Sequence, residues 1–462
     1  MSQELWSWDA LVAASGGMPD GSPGGPVTGV SIDSRSLAPG DLFVAIKDVR
    51  DGHEFVPAAF AAGAAAALVS FSYQRQAADG ALLRTSDPLA ALEAIGRASR
   101  ARTKARIIAV TGSVGKTGTK EALRACLSRL GPTHAAEKSY NNQWGVPLTL
   151  ARMPADSAYG IIEIGMNHRG EIAPLARLAR PNVAIITTVE PVHIAYLGSL
   201  ETIAEEKSDV FLGLEPDGIA VIKRDSPYFD LMRRRAEQQG ARVQSFGLHP
   251  EADVRAVAVK LEADGSDVTV RLDGEPITYR IGIPGAHIVD NSLAIVSALV
   301  AVDADLKRAL PALAGLSAPQ GRGARTVLQR PDGEVMLIDE SYNANPASMR
   351  AALAALGAVP RTRWQRRIAV MGDMLELGAT AEEMHVGLKE AIDAAGVDLV
   401  FACGPNMGQL FAALETGRQG HWTATSDELV AHLLSSVAAG DVVMIKGSLG
   451  SRMAPLVKAL AG

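Results

Sequence analysis

The chain has 462 residues, 47% of them hydrophobic and 21% charged, with a formal net charge of −6. That length exceeds one ordinary domain, so about two to four are expected, with ample core. The acidic balance argues against non-specific nucleic-acid binding, and the two cysteines, Cys126 and Cys403, sit in apolar segments, which excludes a disulfide framework or a zinc site and suits a reducing compartment.

The first fifteen residues lack a basic start and a long apolar run, so they do not read as a secretory signal. The alanine-rich run 58–71 is too short and too weakly apolar to span a bilayer. A cytoplasmic location without stable membrane insertion is expected.

In chain order, a first block (1–86) holds short strand-like pieces at 29–32, 41–46 and 66–69. A second block (87–314) opens with a helix at 89–103 and a strand at 107–110. Strand-like runs follow at 160–164, 183–189 and 218–222, with helical stretches between them. That alternation predicts a parallel sheet covered on both faces. Between 254 and 283, β-rich pieces flank Asp264-Gly265 and Asp273-Gly274, which are hairpin signals and predict a small added antiparallel sheet. A third block (315–462) alternates strands at 335–338, 367–371, 399–402 and 442–445 with helices, a second α/β unit of nucleotide-binding type.

The most informative stretch is Thr111-Gly112-Ser113-Val114-Gly115-Lys116-Thr117. It follows the strand at 107–110 and precedes a helix with Ala122, Leu123, Cys126, Leu127 and Leu130 at helical spacing, which Gly131-Pro132 would stop. A strand, a glycine turn and a helix opening on Lys-Thr make a phosphate cradle. Backbone N–H groups and the positive helix end face the anion, Lys116 adds charge, and the Thr117 hydroxyl is placed for Mg²⁺. Binding of a nucleoside triphosphate follows.

Ligands of parallel sheets gather beyond the carboxyl ends of strands. Glu163 lies at one such end and His193 just past another. A carboxylate with the Thr117 hydroxyl suits Mg²⁺, which is held by few protein groups plus phosphates; His193 is a less expected ligand for so hard a cation. By themselves, a strand-end Glu also reads as a cap and a lone His as a packed residue.

The cradle, then Tyr140-Asn141-Asn142-Gln143-Trp144-Gly145-Val146-Pro147, the run beginning Glu163-Ile164-Gly165-Met166-Asn167-His168, and Pro191-Val192-His193 together resemble the Mur ligase family, ATP-dependent builders of the peptide of the bacterial cell-wall precursor. In the first block Asp33-Ser34-Arg35, Pro39-Gly40-Asp41 and Asp51-Gly52-His53 are similar to that family's uridine-nucleotide-binding domain. In the third block Asp339-Glu340-Ser341-Tyr342-Asn343-Ala344-Asn345-Pro346, the loop 372–378 and Lys446-Gly447-Ser448 resemble the member that adds a dipeptide. The resemblance implies an α/β protein of three domains. These are a small N-terminal α/β UDP-binding domain, a central P-loop parallel-sheet ATPase domain with its added antiparallel sheet, and a C-terminal Rossmann-like domain.

It also implies residue roles. Gly112, Ser113, Val114, Gly115 and Lys116 would hold the ATP phosphates; Thr117, Glu163 and His193 would hold one Mg²⁺. Lys207 matches a lysine that is carbamylated in the family and would sit by a second Mg²⁺; without the resemblance it reads as a solvated helical lysine. Asn291 would contact adenine, although Asp290 or Asn291 also reads as a helix cap. Arg322 would reach the transferred phosphate, or be a linker arginine. Asp339 would accept from the ribose, or cap a strand end. Ser34, Arg35, Asn141 and Asn142 would touch the muramoyl nucleotide; the two asparagines alone read as a turn. Family members carry Ser or Thr where Gly118 stands, Gly-Asn at the position of Lys138-Ser139, and often a second Asp in place of Glu340.

The implied substrates are ATP, UDP-N-acetylmuramoyl-tripeptide and D-alanyl-D-alanine, joined through an acyl phosphate by a monomer. Lys116, Lys207, His193 and Arg322 would serve catalysis. The rivals are a sister ligase that adds a single amino acid, of diaminopimelate- or lysine-adding type, and a P-loop regulatory NTPase.

Overall fold

The computed structural model describes residues 4–192, 194–262 and 264–462. Twenty strands among them form three sheets. The first sheet contains β1 (Met18–Asp20), β2 (Gly29–Ser31), β3 (Asp41–Val44), β4 (Ala66–Ser70) and β5 (Ala81–Thr85), in the order β1-β5-β4-β3-β2. Only β1 runs antiparallel to its neighbour.

The helix Pro88–Arg102 leads out of this sheet. Asp87 caps it by accepting from the Leu89 and Ala90 amides, and Pro88 occupies a first-turn position where a missing N–H costs nothing.

The central sheet has nine strands: β6 (Arg106–Thr111), β7 (Thr133–Ala135), β8 (Tyr159–Glu163), β9 (Val183–Ile186), β10 (Ile219–Lys223), β11 (Arg242–Gly247), β12 (Val254–Glu262), β13 (Gly265–Leu272) and β14 (Glu275–Ile281). Their order is β14-β13-β12-β11-β10-β9-β6-β8-β7. The antiparallel strands expected as an added sheet are joined edge-on to the parallel one, because β12 pairs with β11 over Phe246–Val254 and Gly247–Arg255. Val257, Val259 and Leu261 of β12 are exposed, so one face of the hairpins is left open.

β6 is buried on both faces. Ile108 and Val110 pack with Leu123, Leu127 and Leu293 on one side. Ile107 and Ala109 pack with Val146, Leu150 and Leu175 on the other. That period of two inside an unbroken apolar run is what a central parallel strand requires. β6 and β9 are neighbours whose onward connections leave in opposite directions, toward β7 and toward β10. The crevice beyond their carboxyl ends is therefore the sheet's switch point.

The third sheet contains β15 (Ala324–Arg330), β16 (Gly333–Glu340), β17 (Arg366–Gly372), β18 (Leu399–Cys403), β19 (Gln419–Thr423) and β20 (Asp441–Lys446), in the order β15-β16-β20-β17-β18-β19. All neighbours are parallel except β15 with β16, which form an edge hairpin at 324–340.

Candidate active site

The cradle occupies the switch point. The helix after it spans Lys116–Leu127, ending one turn before Gly131-Pro132. Its N-cap is Gly115 at φ +89°, and no side chain caps it, so its first-turn amides stay available to an anion. Gly112 is required on steric grounds: a Cβ there would lie 1.9 Å from Thr187 Oγ1.

The loop is pinned to the end of β9. The Ser113 amide donates to the Thr188 carbonyl (2.9 Å), and the Ser113 hydroxyl donates to the Glu190 carbonyl (3.0 Å). The Val114 amide donates to Thr188 Oγ1 (3.2 Å), and Thr187 Oγ1 donates to the Val114 carbonyl (2.5 Å). The chain's sequence held no signal for this use of Thr187 and Thr188, which are simply the residues following a buried strand.

Lys116 folds back on its own loop, its Nζ donating to the Gly112 carbonyl at 2.7 Å. Burial pushes its ammonium below the ordinary lysine value; Glu163 opposes that shift and Arg322 adds to it. Thr117 Oγ1 lies 3.1 and 3.2 Å from the two Glu163 oxygens and 3.0 Å from Ser139 Oγ. Asn141 Nδ2 donates to Glu163 Oε1 at 2.7 Å. Glu163 is 1% exposed.

A carboxylate so deeply buried, facing a hydroxyl and an amide, offers oxygen ligands to a small hard cation. Among the described residues no three His, Cys, Asp or Glu side chains cluster as a metal site. Thr117 and Glu163 present a hydroxyl and a carboxylate, the donor types that Mg²⁺ takes alongside waters and phosphates. His193, expected in the same shell, lies outside the described residues.

Lys207 lies in the last turn of the helix Leu200–Ser208 and is 2% exposed, not the solvated lysine that its glutamate neighbours suggest. Burial first, and the Lys116 charge second, push its pKa well below the ordinary value. Glu206 turns elsewhere and accepts from the Gly170 amide (2.9 Å).

The Asn291 amide stands against Gly115, and Asp290 pairs with Lys223 at 2.6 Å, so neither side chain caps the helix Ala286–Ala301, whose N-cap is Gly285. Arg322 reaches from the third block to Ser139 Oγ (3.4 Å) and stacks over Tyr342 at 4.2 Å. Asp339 accepts from the Gly321 amide (2.9 Å), the Ser341 amide (3.1 Å) and the Ser341 hydroxyl (2.6 Å), so it shapes the turn that presents Arg322.

Asn142 caps the next turn, accepting from the Gly145 amide at 3.0 Å. Ser34 and Arg35 follow β2. Arg35 forks onto Asp33 (2.9 and 2.8 Å), and the hydrogen bond from its side chain is the main reason the Asp33 pKa falls to about 2. Neither Ser34 nor Arg35 hydrogen-bonds to the cradle among the described residues. Tyr140 packs onto the first block's core. It also lines a cavity of about 620 Å³ with Thr28, Asp41, His134 and Arg152.

Three family models match the chain: "Mur ligase family, catalytic domain" over 26–100, "Mur ligase middle domain" over 110–299, and "Mur ligase, glutamate ligase domain" over 325–449. The chain is 34% identical over 93% of its length to the UDP-N-acetylmuramoyl-tripeptide–D-alanyl-D-alanine ligase of Escherichia coli (strain K12), covering 93% of that protein. To the ligase of the same name from Bacillus subtilis (strain 168) it is 32% identical, over 94% of this chain and 93% of that one. A crystal structure of MurF from Acinetobacter baumannii superposes over 100% of both chains with a TM-score of 0.85 at 28% identity.

Proposed function

This chain belongs to the Mur ligase family, and from that premise we propose that it joins D-alanyl-D-alanine to UDP-N-acetylmuramoyl-tripeptide at the expense of ATP. It is an ATP-dependent ligase that forms a peptide bond, and its product is the UDP-muramoyl pentapeptide precursor of peptidoglycan. In this reading residues 1–86 take the muramoyl nucleotide, 87–314 take ATP, and 315–462 bring the dipeptide. The observation that carries it is the bond from Asn141 to Glu163 (2.7 Å), which ties the segment assigned to the muramoyl nucleotide to the carboxylate assigned to the metal.

The terminal carboxylate of the tripeptide is a poor electrophile. It attacks the γ-phosphoryl of ATP, ADP leaves, and an acyl phosphate forms. The dipeptide amine then attacks the acyl carbon, and phosphate departs. Both steps crowd anions together. Lys116 and Arg322 supply fixed positive charge from opposite sides of the cleft, which is the preorganised stabilisation such steps need.

Thr117 and Glu163 would hold Mg²⁺, which when bound neutralises charge between the phosphates. Burial first, and Lys116 second, push the Lys207 pKa well below the ordinary lysine value, which favours the uncharged amine. Such an amine adds to CO₂ and loses a proton, leaving an anionic carbamate suited to a second Mg²⁺. Asn291, which packs against Gly115, would take the adenine, and Asp339 would take the ribose. Holding three reactants in line supplies about 7–11 kcal/mol of the barrier.

No helix among the described residues is long and apolar enough to cross a membrane. The reading extends to a cytoplasmic monomer. Phosphate release measured with UDP-muramoyl tripeptide and D-alanyl-D-alanine, against single amino acids, tests it. Turnover with the dipeptide alone is expected. A preference for a single amino acid would make this a sister ligase, and ATP hydrolysis indifferent to the UDP-muramoyl peptide would make it a regulatory NTPase.

A further inference from the structure

The cradle helix contains a second lysine, Lys120, one turn beyond Lys116. It is fully buried, at 0% exposure. Its Nζ donates to the Ala136 carbonyl (2.5 Å) and the Lys138 carbonyl (3.3 Å) and pairs with Glu121 Oε1 (2.9 Å). Removing an ammonium from water costs several kcal/mol, so a lysine in this place is expensive unless its fixed contacts do something an apolar residue would not.

Its two carbonyl partners begin the segment 136–142, which touches all three domains. Ser139 Oγ meets Thr117 Oγ1 of the central domain (3.0 Å) and Arg322 of the third block (3.4 Å). Tyr140 packs against the core of the first sheet, under the Arg152 guanidinium. Asn141 donates to Glu163, and its own carbonyl accepts from the Gly165 amide (2.8 Å). Lys120 is the only link from the interior of the cradle helix to this segment that uses a charge among the described residues. The hydroxyl of Thr117 provides the other attachment, one turn earlier on the helix.

We propose that Lys120 is a positioning residue that couples the phosphate cradle to the segment binding the muramoyl nucleotide. Filling the cradle fixes the start of the helix. Lys120 passes that order to Ala136 and Lys138, and so to Ser139, Asn141 and Asn142. The side chain touches no substrate; it acts through the backbone it holds. This inference rests on the ligase reading above, and its tests separate the two.

In Lys120→Met the stem is kept and the donors are lost. The KM for UDP-muramoyl tripeptide rises about 10- to 100-fold, as when a supporting partner of a site residue is removed, while the KM for ATP and the melting temperature stay near those of the unaltered chain. A rise in both KM values together with a lower melting temperature would assign Lys120 to stability alone and overturn the proposal, as would unchanged kinetics.

Should Lys120→Met not fold, hydrogen exchange on the unaltered chain decides. Mg²⁺ with a non-hydrolysable ATP analogue slows exchange of the amides of 136–142, and unchanged exchange there overturns the coupling. That measurement needs nucleotide only. Failure of the unaltered chain to couple the dipeptide would sink the ligase reading without touching it.

Discussion

Asn291 stands so close over Gly115 that a Cβ on the glycine would lie 2.6 Å from its Oδ1 and 2.9 Å from its Nδ2. The phosphate turn and the residue assigned to adenine are therefore one packed unit. Gly115 also holds a φ of +89°, which L side chains avoid.

Gly115→Ala should thus weaken nucleotide binding by two routes, backbone strain of about 1–2 kcal/mol and displacement of Asn291. Calorimetric titration with a non-hydrolysable ATP analogue is expected to show an affinity loss of about tenfold or more, with binding of the UDP-muramoyl peptide unaffected. An unchanged nucleotide affinity would contradict the assignment.

Glu163→Gln keeps the shape and removes the charge. Its Thr117 and Asn141 partners can still be met by an amide, so the fold should hold. The Mg²⁺ concentration for half-maximal turnover should rise about 10- to 100-fold. Magnesium titration of phosphate release checks this, and an unshifted titration would exclude Glu163 as a ligand.

Lys207 gives a pH-dependent stability. Its pKa in the folded chain lies well below 10.5, so the unfolded chain binds the extra proton between the two values. Stability then rises with pH through that window and levels off near 10.5. Without bicarbonate, Lys207→Met should be more stable than the unaltered chain by about 1–4 kcal/mol at the low end of the window, and the advantage should shrink as pH climbs. Urea unfolding across pH measures it. In the unaltered chain, ¹³C-labelled bicarbonate should produce a carbamate resonance that Lys207→Met lacks; its absence would remove the carbamate from the mechanism.

Arg322→Ala deletes a charge that reaches the cradle from another domain. It should lower kcat by about 10²–10³-fold, the loss seen when one stabiliser of transition-state charge is removed. The KM for ATP should change little, because Lys116 and the helix amides remain. Steady-state kinetics decide, and undiminished turnover would place Arg322 outside the reaction.

Most of the local chemistry was legible in the chain. The phosphate cradle is contiguous, and its strand, glycines and helix are set by φ preferences, apolar spacing and i to i+4 bonds that act within a few residues. The strand-end position marked Glu163 as a candidate and the family resemblance marked Asn141, but neither said that they touch. Lys120 went unnoticed although a signal existed: it shares the helical face of Leu123 and Leu127, where a lysine must be buried or out of place.

The order of residues by itself determined the α/β class, the strand–glycine turn–helix cradle and the types of group available for charge neutralisation, because these depend on neighbours along the chain. Only the tertiary structure decided that Thr117, Ser139, Glu163 and Arg322 meet, and that the hairpins extend the central sheet. Those contacts join residues 22 to 183 positions apart. They depend on strand order, register and the placement of three domains, which no short-range preference specifies.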